Sequence, residues 1–251
     1  MTTRSAIARP IVAIGGGGFG SVGEPRHEPS ALDAFILDLA RGRAGRERPR
    51  ICYIGTATGD DDRAIGRFHA AFDHRAEATH LGLFDRRVVD IDAFLLDQDA
   101  VYVGGGNTVS LLAVWRAHGV DAALRRAHEA GVVLAGRSAG SICWFESGTT
   151  DSWGPSLGPV HGGLGLVAGS HSPHYDGEAE RRPAYHRLIA AGILPDGLAA
   201  DDGAALVFDG PRLVEVVSER DGARAYRVAL VEGAVTETPL PVRRLPGPGP
   251  A

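Results

Sequence analysis

Residues 132–145 read Val-Val-Leu-Ala-Gly-Arg-Ser-Ala-Gly-Ser-Ile-Cys-Trp-Phe. The run 132–135 is short and wholly apolar, which predicts a buried strand. Gly136 to Gly140 follow as Gly-x-Ser-x-Gly, and 139–145 predicts a helix. That order is the context of a nucleophile elbow, where a serine sits on a sharp strand-to-helix turn with its hydroxyl exposed. Small flanking residues are needed because the turn brings backbone segments together. Ser138 is thus the candidate nucleophile, and the N–H of Ala139 a candidate donor to an oxyanion. The competing reading is a glycine-rich turn in which Ser138 only caps a helix.

Outward from this stretch the chain alternates short apolar runs with amphipathic ones. Strands are predicted at 11–14, 50–54, 79–84 and 100–103. Helices are predicted from Ser30 to about Ala40, over 60–73, after Asn107, and over about 120–130. Continuous apolar strands alternating with helices imply a mainly parallel sheet flanked by helices on both faces, an α/β fold. In such sheets sites form at the carboxyl ends of strands, where Gly15–Gly20, Gly104–Gly106 and Gly136–Gly140 fall. Beyond Gly148 the pattern changes. Residues 154–169 are rich in Gly and Pro, 178–191 predict a helix, and 204–208, 213–218 and 223–231 read as a C-terminal antiparallel β meander. One domain over 1–245 with a frayed tail at 246–251 is expected.

Composition narrows the function. The 251 residues carry 31 acidic and 26 basic side chains, a net charge of −5, so no basic surplus invites nucleic acid. Every basic residue is Arg; without Lys, Schiff-base, Ser–Lys and P-loop chemistry are excluded. The two cysteines, Cys52 and Cys143, lie in apolar runs and read as buried thiols, too few for a zinc site or a disulfide scaffold. No run reaches the roughly 20 apolar residues that span a bilayer, and the N-terminus lacks a signal-peptide core. A soluble, cytoplasmic protein without membrane partners is expected.

A serine nucleophile needs a base and an orienting acid. His174 lies in His171-Ser172-Pro173-His174, off any obvious helix, with Pro173 stiffening the backbone before it. A metal pair of His171 and His174 would have only Asp176 nearby as a third ligand, so no metal is expected. Asp201-Asp202-Gly203 ends an apolar stretch, where a strand-end carboxylate can reach a site; a plain acidic turn is the alternative. Gly15–Gly20 also matches a dinucleotide fingerprint. However, Pro25 and Pro29 intervene before the helix and no acid ends the next strand, so a packed turn beside the active site accounts for it better.

Taken in order, six pieces resemble the peptidase E (aspartyl dipeptidase) and cyanophycinase group of serine peptidases. They are the glycine-rich turn after 11–14, Ile54-Gly55-Thr56-Ala57, Gly104-Gly105-Gly106-Asn107-Thr108, Gly136-Arg137-Ser138-Ala139-Gly140, Ser172-Pro173-His174-Tyr175 and Asp201-Asp202-Gly203. The resemblance covers roughly residues 10–218 and implies a fold related to class I glutamine amidotransferases. It implies Ser138 as nucleophile, His174 as general base and Asp202 as third member, with Asp201 its neighbour and rival. It adds the N–H of Gly106 to that of Ala139 in the oxyanion hole. The order Ser, His, Asp differs from that of α/β-hydrolases. Three features depart from dipeptidase E: its acid is Glu where Asp202 stands, an aromatic precedes its serine where Arg137 stands, and the segment Ser141-Ile142-Cys143-Trp144-Phe145-Glu146 is unlike its own.

The expectation is a serine exopeptidase acting on short peptides, including dipeptides with an acidic amino-terminal residue, through an acyl-enzyme. No cofactor is called for, and the protein would be a monomer or homodimer. Asn107 and Arg137 are weaker candidates for substrate binding, Arg137 as counter-charge to an acidic residue. The alternatives are cyanophycinase-like cleavage of an Asp–Arg polymer and a non-catalytic protein that binds a small ligand.

Overall fold

A computed structural model describes residues 7–19 and 30–247. Expectations for Gly20, Pro25, Pro29 and the tail from 248 to 251 lie outside the described residues.

Five strands form the parallel heart of an eight-stranded sheet: β1 (Pro10–Ile14), β2 (Arg50–Ile54), β3 (Glu77–Leu81), β4 (Ala100–Val103) and β5 (Val133–Arg137). Their side chains alternate between two cores, as the two-residue repeat of a strand requires. Ile11, Ala13, Cys52, Ile54, Val101, Val103 and Leu134 enter one core. Val12, Ile14, Ile51, Tyr53, Tyr102, Val133 and Ala135 enter the other. Burial on both faces is why these strands read as unbroken apolar runs. Helices α1 (Ala31–Ala44) and α2 (Asp62–Phe72) cover the second core. Helices α3 (Ile91–Leu96), α4 (Thr108–His118) and α5 (Val120–Glu129) cover the first. Ser30 and Asp33 start α1 with a capping box, and Asn107 caps α4 by accepting the N–H of Ser110.

The sequence reading missed α3, although Asp90 caps it and Ile91 and Leu95 bury at helical spacing. It also set the third strand late, at 79–84 rather than Glu77–Leu81.

After β5 the predicted helix 139–145 shrinks to one turn, α6 (Ala139–Ile142). Phe145 already opens β6 (Phe145–Thr150), because the chain must turn its ring into the core against His171, 4.6 Å centroid to centroid. The Gly/Pro-rich segment holds β7 (Gly158–His161), followed by β8 (Val167–Ser172); α7 (Arg181–Ala190) then leads to β9 (Gly197–Ala200). These four strands belong to a second, six-stranded sheet.

The expected meander is divided between the two sheets. Strands β10 (Ala204–Asp209) and β11 (Arg212–Ser218) form a hairpin that adds antiparallel to β1. Strand β12 (Ala225–Val231) instead pairs with β9 and with β13 (Ala234–Pro239), while β14 (Val242–Arg244) returns to the first sheet beside β11. The crossing is pinned at Asp201, whose N–H donates to the Arg224 carbonyl at 2.9 Å and whose carboxylate accepts the Arg224 N–H at 2.8 Å. Local turn signals at Asp209-Gly210 and Asp221-Gly222 carry no information about which sheet receives the next strand.

Candidate active site

Ser138 follows β5 directly, with φ 55° and ψ −120°. A positive φ is costly for a side-chain-bearing residue and is held only where the surroundings enforce it. Here Ser138 N–H donates to the Ile14 carbonyl at 3.2 Å, and the Ser138 carbonyl accepts from Ser141 N–H at 2.8 Å and Ile142 N–H at 3.0 Å. The flanking glycines are required by space. A Cβ on Gly136 would overlap the Gly140 carbonyl, and one on Gly140 would overlap that of Val103.

The Gly104–Gly106 loop at the end of β4 lies against this turn. A Cβ on Gly105 would come within 3.1 Å of Ser138 Cβ. Gly106 has φ 138°, and a side chain there would strike the Ala57 backbone. Among the described residues, neither the Gly106 N–H nor the Ala139 N–H has a hydrogen-bond acceptor.

His174 also has a positive φ, 52°. Its Nδ1 lies 2.7 Å from Asp202 Oδ1. The hydrogen bond to His174, ahead of the attraction of its charge, holds the Asp202 carboxyl below the usual range despite partial burial. Because an ionised carboxylate can only accept, the proton between them sits on Nδ1, leaving Nε2 of a neutral ring with a lone pair. Asp202 is held from behind as well. Its N–H donates to Asp176 Oδ1 at 2.9 Å, and the Arg220 guanidinium bonds both Asp176 and the Asp202 carbonyl.

Asp201 faces elsewhere. Its carboxylate is buried on the Arg224 N–H, and burial raises it to about 6. It makes no hydrogen bond or ion pair with His174, so of the two acids it is Asp202 that pairs with the imidazole. His171 is likewise turned inward. Its Nδ1 donates to the Leu198 carbonyl at 3.0 Å, its Nε2 faces the Ser141 hydroxyl at 3.0 Å, and burial pushes it down to about 3. Both ring nitrogens are engaged, and no group of three metal-ligating side chains occurs among the described residues.

Residues 14–16 join the two halves of the site. Ile14 receives Ser138 N–H, and Gly16 makes a parallel bridge to Asp202. The Gly16 carbonyl accepts Gly203 N–H at 2.7 Å. A Cβ on Gly16 would overlap Asp202 Oδ1 and fall 2.7 Å from His174 Nδ1. The glycine run after β1 is therefore the floor under the His174–Asp202 pair.

The two weaker candidates are committed to backbone contacts. Asn107 caps α4 and donates its amide to the Ser152 carbonyl at 3.1 Å. Arg137 Nη1 donates to the Gly17 and Phe19 carbonyls at 3.0 and 2.7 Å.

A model of peptidase family S51 matches residues 11–216. The chain belongs to peptidase family S51. Similarity to named peptidases extends over nearly the whole chain in one case and over part of it in another. The chain is 48% identical over 238 residues to an uncharacterized peptidase, YgaJ, of Bacillus subtilis, covering 94% of this chain and 99% of that protein. It is 30% identical over 153 residues to peptidase E of Shewanella denitrificans, covering 57% of this chain and 62% of that protein. The fold matches a crystal structure of a peptidase from an acI-B1 Actinobacterium at TM-score 0.64 and 17% identity, covering 94% of this chain and 96% of that one. It also matches a putative peptidase E from Listeria monocytogenes at TM-score 0.57 and 17% identity, covering 84% and 98%. The α/β fold of a peptidase E-type protein read from the sequence is thus the fold of this S51 peptidase, and no helix among the described residues is long and apolar enough to cross a membrane.

Three supporting roles escaped the sequence reading. Asp176, weighed there only as a third metal ligand, accepts the Asp202 N–H, and Arg220 backs Asp202 with no motif to flag it. Glu219 takes the Gly18 and Leu32 N–H groups, fixing the glycine loop from its other side, and a lone Glu after a strand carries no such signal.

Proposed function

We propose that this S51 chain is a serine peptidase that hydrolyses short peptides through Ser138, His174 and Asp202. The observation carrying the reading is the strained Ser138 on its strand–helix turn, bonded to Ile14 two residues before the glycine beneath the His174–Asp202 pair. Asp202 fixes the tautomer that leaves His174 Nε2 basic. Ser138 Oγ attacks the scissile carbonyl as His174 takes its proton. His174 then returns the proton to the leaving amine, and water repeats the sequence on the acyl-enzyme. The uncommitted Gly106 and Ala139 N–H groups stabilise the tetrahedral oxyanion, at about 3 kcal/mol for a well-aimed donor.

A fluorophosphonate probe tests the nucleophile, with labelling expected at Ser138 and absent in Ser138→Ala. Asp-X, Glu-X and Leu-X dipeptides, set against a β-aspartyl-arginine polymer, then assign the substrate class. No labelling and no turnover across that panel would leave a non-catalytic binding protein.

A further inference from the structure

Arg137 immediately precedes the proposed nucleophile, yet its side chain is directed at the loop after β1. Both hydrogen bonds leave one nitrogen, Nη1, for the carbonyls of Gly17 and Phe19. The guanidinium lies over the Phe19 ring, 5.2 Å to its centroid. Phe19 is itself locked into the core by edge contacts with Tyr53, Phe68, Phe72 and Tyr102 at 4.9–5.7 Å. Among the described residues Arg137 has no carboxylate in an ion pair. Its fixed partners are backbone oxygens of one loop, and the same loop carries Gly16 beneath His174 and Asp202.

We propose that Arg137 is a positioning residue, which ties the serine turn to the loop supporting the His174–Asp202 pair. Glycine-rich backbone has no side chains of its own to hold it, and Gly17 and Gly18 both have positive φ, 104° and 73°. Two charge-assisted bonds to its carbonyls supply the missing restraint. Glu219 provides the opposite clamp, accepting Gly18 N–H at 3.2 Å. Phe19 stays anchored by its ring contacts, so removing Arg137 releases chiefly the Gly17 carbonyl; the adjoining Gly16 shifts with it and carries the His174–Asp202 pair out of place. The activity readout of this inference rests on the serine peptidase reading; the spectroscopic one does not.

The experiment compares wild type with R137A and R137K. In R137A, kcat/KM on the best dipeptide and the rate of fluorophosphonate labelling are expected to fall together by about 10²-fold, the usual cost of a misplacement near 1 Å. The loss should sit in kcat, be equal for acidic and neutral amino-terminal residues, and be partly restored by millimolar guanidinium. The downfield proton NMR signal of the His174–Asp202 hydrogen bond should broaden or shift in R137A and recover with guanidinium. R137K keeps a donor and should fall between the two, which preserves the test if R137A folds poorly. An unchanged NMR signal with wild-type labelling overturns the proposal. So does a loss confined to acidic substrates through KM, which makes Arg137 a substrate counter-charge. If the wild type is never labelled, the peptidase reading fails, and the NMR comparison still decides whether Arg137 holds the pair.

Discussion

Asp201 and Asp202 share a peptide bond and face different environments: Asp202 Oδ1 meets His174 Nδ1 at 2.7 Å, while Asp201 Oδ2 takes the Arg224 N–H at 2.8 Å. Their acidities move apart accordingly. Asp202 is lowered by its bond to His174, and Asp201 is raised to about 6 by burial. Adjacent carboxylates pushed in opposite directions point to different tasks.

Replacing the two acids separates those tasks. Asp202→Asn is expected to cut kcat/KM by about 10⁴-fold, because an amide permits the wrong imidazole tautomer. Asp201→Asn should stay within about threefold of wild type, since Asn still accepts from Arg224. Steady-state kinetics on both variants checks this, and equal losses would end the assignment of Asp202.

Asp201→Asn should also change how stability follows pH. A carboxyl raised above its unfolded value contributes stability that is complete below about pH 4 and lost as pH rises through about 6. The variant lacks this contribution. Its urea midpoint should therefore gain on wild type between pH 4 and pH 7, and a constant difference would count against the raised carboxyl.

His171 gives the opposite slope. Its folded value, about 3, lies below the ordinary 6.5, so its contribution is present above pH 6.5 and drains away as pH falls toward 3. His171→Gln removes that part of the acid loss while keeping an amide to meet Leu198. Unfolding curves at pH 4.5 and 7.5 should converge in the variant relative to wild type.

Ser138 stores backbone strain that glycine would release. Ser138→Gly and Ser138→Ala should both be inactive. The glycine variant should be more stable than the alanine variant by about 1 kcal/mol, as expected where a side-chain-bearing residue is held at positive φ. Thermal denaturation of the pair measures the difference, and an alanine variant as stable as the glycine one would contradict the strain.

Gly16→Ala probes the floor of the site. The added methyl has no room beside Asp202 Oδ1 and His174 Nδ1, so the pair must shift. A loss of kcat/KM of about 10²-fold is expected with secondary structure intact by circular dichroism.

Much of this was legible in short stretches. The apolar runs at β1, β2, β4 and β5 stand out because both faces of each strand are buried. The serine turn stands out because only glycine fits at 136 and 140: a Cβ at 136 would overlap the Gly140 backbone of the same turn, and one at 140 the Val103 backbone of β4. Helix α3 was present as a cap and two buried residues, but six residues give too little periodicity to detect. The end of α6 was misplaced because apolar Cys143, Trp144 and Phe145 suit either a buried helix or a strand, and packing decides between them.

Strand and helix periodicity, caps and turn glycines depend on neighbours along the chain and are written into it. Which of Asp201 and Asp202 meets His174, where the antiparallel strands go, and what Arg137 holds are settled only when the chain folds. Those outcomes depend on atoms distant along the chain, such as Arg224 against Asp201 and Gly17 against Arg137, brought together by the packing of two sheets. Local pattern fixes a residue's conformation, whereas its partner is fixed by the arrangement that buries the most apolar surface without stranding a polar group.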